Sequence, residues 1–160
     1  MKLNSLIRLN KPVAMIIKPL IGIDNVTLGS SKQTIFDLLG QPDSTNSDEW
    51  PDGTISESWI YPKLSLTLNF DSDDNYRLST INSTSNNAEL EGLRLIGINI
   101  NSLINSHPSI MLDENLGNNV KDYVYPEKEI SFWVVNNIVE NITLFPEYDK
   151  SNDLPIWPVS

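Results

Sequence analysis

From residue 64 the chain alternates with a period of two: Leu64, Leu66, Leu68 and Phe70 are apolar, and Ser65, Thr67 and Asn69 between them are polar. Successive side chains of an extended strand point to opposite faces, so this pattern predicts a β-strand with one buried face. Ser56 to Tyr61 before it and Arg77 to Ile81 after it also read as strands. The turn formers Asp71-Ser72-Asp73-Asp74-Asn75 predict a hairpin between Leu64–Phe70 and Arg77–Ile81. Upstream the period is helical. Ile35, Phe36, Leu38 and Leu39 form a stripe, Ser30 and Gln33 have capping-box spacing, and Gly40 and Pro42 supply a stop, so a helix is predicted from Ser31 to Leu39. So short a helix is stable only when packed, here on the sheet.

The pattern recurs downstream. Leu20-Ile21-Gly22-Ile23-Asp24 returns as Leu95-Ile96-Gly97-Ile98-Asn99, and Trp59-Ile60-Tyr61-Pro62 is echoed by Tyr123-Val124-Tyr125-Pro126. The shared order predicts a duplicated chain. Its second copy comprises an extended Leu90 to Ile98, a helix from Ser102 to about His107 ended by Pro108, and strands Val120–Tyr125, Glu129–Val135 and Val139–Phe145. Asn136-Asn137 offers the tight turn between the last two. The expected fold class is therefore α+β, two tandem repeats, each a short helix packed on a small antiparallel β-sheet. The expected units are an N-terminal extension over 1–19, repeats over 20–87 and 88–150, and a tail over 151–160, with the polar stretch 82–87 as the boundary between halves.

Composition narrows the function. The chain has 160 residues, 39% of them hydrophobic, and four tryptophans, enough for a globular core. Acidic residues outnumber basic ones by 21 to 11, for a net charge of -10, which repels phosphate backbones and anionic lipid. Neither nucleic acid nor a membrane surface is an expected partner. The acidity serves either solubility or attraction to a basic protein, and composition leaves both open. The absence of cysteine excludes disulfides and thiolate metal sites and suits a reducing compartment, so a cytoplasmic location is expected. Met1, Lys2, Arg8 and Lys11 before the apolar run Val13–Ile17 imitate a signal peptide, but Lys18 and Pro19 cut the run short, so export and membrane spanning are not expected.

Metal sites and nucleophile triads lean on histidine or cysteine; the chain has no cysteine and one histidine, His107, which beside Pro108 reads as a helix-end residue in preference to a general base, so no catalytic residue, metal or cofactor is expected. Asp71, Asp73 and Asn75 open like a calcium loop, but Tyr76 stands where the turn glycine belongs and Asn82 where the bidentate glutamate belongs. The pairs Glu127/Glu129 and Glu147/Asp149 have no spacing that implies a pocket, and no phosphate loop exists.

Binding has better support, because the connection Asp43 to Glu57 carries Asp43, Asp48, Glu49, Asp52, Glu57 and Trp50 without a basic residue. An aromatic anchor ringed by carboxylates suits a basic protein surface, and a plain solvated loop is the alternative. Trp59, Tyr61, Tyr123, Tyr125 and Trp133 lie on predicted strands, where aromatics are commonly core; if Ile60 and Val124 face inward, Trp59 with Tyr61 and Tyr123 with Tyr125 are instead aromatic pairs on an outer face. The candidate partner-binding set is Asp48, Glu49, Trp50, Asp52, Glu57, Trp59, Tyr61, Tyr123 and Tyr125.

Gly29-Ser30-Ser31, Ile35, Leu39-Gly40-Gln41-Pro42, Trp59-Ile60-Tyr61 and the hairpin ending Phe70-Asp71 resemble the repeat of the β-lactamase inhibitor protein and of the outer-membrane assembly lipoprotein BamE. The likeness is one of pattern, over roughly residues 20 to 148. Bacterial immunity proteins, including those of contact-dependent growth inhibition systems, are similar to this layout. The resemblance implies an antitoxin-like inhibitor, monomeric when free, that occludes a cognate basic toxin, a nuclease being one candidate class. The alternatives are an envelope-assembly or scaffold module of BamE type, an inhibitor of a secreted enzyme, or a hydrolase using surface carboxylates.

Overall fold

The computed structural model describes residues 13–159. Part of the expected 1–19 extension, with the basic residues of the signal-peptide-like start, lies outside the described residues.

Strands dominate. Strands β4 (Ser44–Glu49), β5 (Ile55–Tyr61), β6 (Leu66–Asp71) and β7 (Leu78–Ser83) form one meander, and β10 (Met111–Gly117), β11 (Val120–Tyr125), β12 (Ile130–Val135) and β13 (Ile138–Leu144) form another. β7 and β13 pair antiparallel through Leu144–Ile81, Thr143–Asn82 and Ile142–Ser83, giving one sheet of order β10-β11-β12-β13-β7-β6-β5-β4. A five-stranded sheet of order β3-β2-β1-β8-β9 joins β1 (Met15–Lys18), β2 (Gly22–Ile23), β3 (Val26–Thr27), β8 (Ala88–Leu90) and β9 (Leu93–Arg94). The hairpin of β14 (Glu147–Tyr148) and β15 (Pro155–Ile156) follows. Helices α1 (Lys32–Leu39) and α2 (Ile100–Ser106) complete the described elements, besides three 3-10 turns. The expected α+β class of two helix-on-small-sheet repeats is thereby corrected: the fold is mostly β, and the β7–β13 ladder merges both meanders into one large sheet.

One core lies on one face of that sheet. Leu68, Ile81, Leu144, Ile130 and Tyr125 run abreast across five strands and are all buried. Ile35 of α1, Ile100 and Leu103 of α2, and Ile17, Ile23, Ala88 and Leu90 of the small sheet belong to the same cluster. At about 25 cal/mol per Å² of apolar surface removed from water, this shared burial is the main force joining the layers.

Local chemistry explains where the elements depart from expectation. Helix α1 is capped by Ser31, whose hydroxyl accepts the Thr34 amide, instead of Ser30 with Gln33. Gly40 at φ 79 ends it. Only Ile35 of the stripe is fully buried, while Phe36 and Leu38 are exposed. Leu64 leaves the expected strand because Pro62–Leu64 form a 3-10 turn closed by left-handed Ser65. Helix α2 starts earlier than expected, because the Asn99 side chain accepts the Asn101 amide. The expected loop Asp43 to Glu57 is a hairpin, β4–β5, and β10 is a strand that the alternation did not signal. Residues 82–87, expected as a boundary too short to hold the halves apart, are taken into the fold: Asn82 and Ser83 end β7, and Ser83 and Ser85 are buried.

Near the end of the described chain, Trp157 packs against the core, and a Cβ on Gly29, at φ +85, would meet its ring at 2.9 Å. Only glycine admits both that backbone angle and that approach.

Candidate functional site

The face of the large sheet opposite the core is open. One ladder row crosses all eight strands as Ser44, Ile60, Thr67, Asn82, Thr143, Ser131, Val124 and Met111. No side chain of this row is buried. Its middle is uncharged and internally bonded: the Asn82 amide donates to Asn141 at 3.3 Å and to Thr143 at 3.1 Å. On the first meander the Ser58 hydroxyl donates to Asn69 at 2.7 Å, and Asn69 donates to the Thr80 hydroxyl at 2.9 Å. Such bonds hold the polar side chains in fixed positions, so a partner meets an ordered surface.

Both edges of the sheet are acidic. β4 carries Asp48 and Glu49, β10 carries Asp113 and Glu114, and every residue of both strands is exposed. The β4–β5 turn is tied down: the Asp52 carboxylate accepts the Thr54 amide at 2.9 Å, which holds its carboxyl below the ordinary value. Trp50 opens this turn and is 57% exposed.

The nine sequence-chosen residues therefore separate into three groups. Asp48, Glu49, Trp50 and Asp52 share the exposed β4–β5 hairpin. Glu57 and Trp59 face the core side instead. Lys32 of α1 forms an ion pair with Glu57, the Trp59 indole donates to Glu57 at 3.1 Å, and Trp59 packs on Phe70 at 5.0 Å. The Lys32 hydrogen bond, then the indole, pulls the Glu57 carboxyl below its ordinary value against the effect of burial. Tyr61, Tyr123 and Tyr125 are buried. Trp59 and Tyr61 do share a face, as do Tyr123 and Tyr125, but it is the core face, so the outer-face reading is corrected. Ile60 and Val124 are the side chains that look outward, because Leu66, Leu68, Ile130 and Phe132 fix the inner parity.

Trp133 of β12, expected in the core with the other strand aromatics, is instead 39% exposed on the open face. The signal was present: Ile130, Phe132 and Val134 alternate inward, which sends Trp133 outward.

Two grooves lie near the Trp157 clasp. One of 460 Å³ is lined by Ser30, Ser31, Thr34, Arg77 and Trp157 among others, and Arg77 is its sole titratable side chain. The other, of 300 Å³, includes Asp73 and Asp74, but Asp73 accepts from the Thr54 hydroxyl and Asp74 from buried Ser79. His107 ends α2 with Nδ1 at 3.3 Å from the Tyr125 hydroxyl. Among the described residues no three His, Cys, Asp or Glu side chains are placed to hold a metal ion, and no helix is long and apolar enough to cross a membrane.

No protein-family model and no curated protein matches the chain. Among solved structures it is similar to YjgB, a DUF4309 family protein from Bacillus subtilis subsp. subtilis str. 168, with 14% identity and a TM-score of 0.52 over 78% of this chain and 84% of that one. It is also similar to an extracellular protein containing an SCP domain from Bacillus anthracis str. Ames, with 9% identity and a TM-score of 0.49 over 75% of this chain. It spans 44% of that protein's length. The likeness to YjgB is one of fold, and neither name speaks to inhibition or immunity.

Proposed function

We propose that the protein is a binding module without chemistry of its own that neutralises a basic partner, in the manner of a cytoplasmic immunity protein occluding a toxin domain. The observation that supports this reading is the open face of the eight-stranded sheet, an ordered surface whose central row is uncharged and whose two edge strands are acidic. Carboxylates at the borders steer a cationic surface into register, and the neutral middle avoids the cost of burying unpaired charge.

The test is co-expression with the product of the neighbouring gene. The expected outcome is protection from toxicity and a stoichiometric complex whose affinity falls about tenfold or more as salt rises from low to several hundred millimolar. A chain that stays monomeric beside that product and gives no protection would sink the reading.

A further inference from the structure

Register places four side chains abreast on the open face of the second meander. Asn141 of β13, Trp133 of β12, Asp122 of β11 and Glu114 of β10 are successive cross-strand partners. Directly opposed residues have Cβ atoms about 4.5–5.5 Å apart, so the indole and the two carboxylates form one strip. Trp133 is 39% exposed, although Phe132 and Val134 beside it on the strand are at 0% and 1%. Asp113 and Glu114 are exposed at the edge, and Asp122 is partly buried between them and the indole.

Among the described residues these acids have no ion-pair partner. The ion pairs among the described residues are Lys32–Glu57, Arg94–Glu89 and Lys128–Glu91, none of which involves this strip. Lys121 adjoins Asp122 in sequence but opposes Val134, on the other face of the sheet. Burial, then repulsion from Asp113 and Glu114, lifts the Asp122 carboxyl above its ordinary value. The opposite border differs, since Asp52 is satisfied by Thr54 and Asp48 takes the Asn46 amide at 3.3 Å.

A flat aromatic surface beside crowded carboxylates complements a guanidinium group, which forks onto carboxylate oxygens and stacks on indole. A second copy of this chain, at a net charge of -10, would bring like charge to the strip. We propose that the Trp133–Asp122–Glu114 row seats an arginine side chain of a basic partner protein, a refinement that rests on the binding role put forward above.

Titrating the full chain with hexa-arginine, hexa-lysine and hexa-glutamate peptides at 150 mM salt tests this, read by backbone amide NMR shifts and tryptophan fluorescence. Expected is saturable hexa-arginine binding centred on residues 114, 122 and 133, several-fold tighter than hexa-lysine, with hexa-glutamate inert. Trp133→Ala and the double variant Asp122→Asn with Glu114→Gln should each weaken it about tenfold, whereas Phe36→Ala, at an exposed aromatic of α1, should leave it within about twofold. Amide dispersion of each variant verifies its fold. Shifts centred on the β4–β5 hairpin would overturn the row while leaving the basic-partner reading intact. Equal affinity for hexa-lysine, or no saturable binding, would also overturn the row, and complex formation with the neighbouring gene product would then judge the wider reading alone.

Discussion

Glu57 illustrates how a carboxylate in an acidic chain is drawn inward. Its oxygens take the Lys32 ammonium and the Trp59 indole N–H, and Lys32 lies over the Tyr76 ring at 4.6 Å, so helix α1 is pinned to β5 by charge as well as by packing. Because the folded-state pKa of Glu57 is depressed, its contribution is fully present above the ordinary glutamate value and is lost as pH falls through the depressed one. Glu57→Gln should cost about 1 kcal/mol at pH 7, and the gap to the parent should close in strongly acidic buffer, as measured by urea unfolding at both pH values. A gap independent of pH would mean that the ion pair contributes nothing. Sequence could assign Glu57 a charge but not a partner, since Lys32 lies 25 residues away. The same limit concealed the fate of Tyr61, Tyr123 and Tyr125, where pairing parity was legible and the identity of the buried face was not.

At the level of elements, legibility tracked burial. β6, β12 and β13 have one core face each, so their alternation survives in the sequence. The edge strands β4 and β10 are exposed along their whole length, so no periodic constraint acts on their residues and none is visible. The turn of the β10–β11 hairpin, Asn118-Asn119, takes φ 53 and 62, and Asn136-Asn137 takes φ 50 and 64. One signal of that kind was read and the other was not, because only the second lies between two apolar runs. The merger of the meanders was illegible for another reason: three residue pairs at the β7–β13 ladder decide it, and they are separated by about 60 residues. Since Asn137 holds a left-handed conformation that glycine adopts more cheaply, Asn137→Gly should stabilise the protein by several tenths of a kcal/mol, up to about 1. Calorimetry would show a raised Tm, and a lowered one would mean that the Asn137 side chain serves the turn.

For the whole molecule, the shared sheet and the single core predict one cooperative transition. The row Tyr61, Leu66, Ser83, Ile142, Phe132, Tyr123 passes through the β7–β13 ladder without a break. Ile142→Val, a fully buried methylene deletion at that ladder, should cost about 1 kcal/mol and shift far-UV circular dichroism and tryptophan fluorescence midpoints together. Separate midpoints would reveal halves that fold independently. The contact between Trp157 and Gly29 acts on the same scale, because it links positions 128 residues apart along the chain, 157 minus 29. A chain cut just before residue 157 keeps the residues of every described strand and leaves the surface around Gly29 uncovered, so such a truncated form should be cleaved faster than the parent in limited proteolysis.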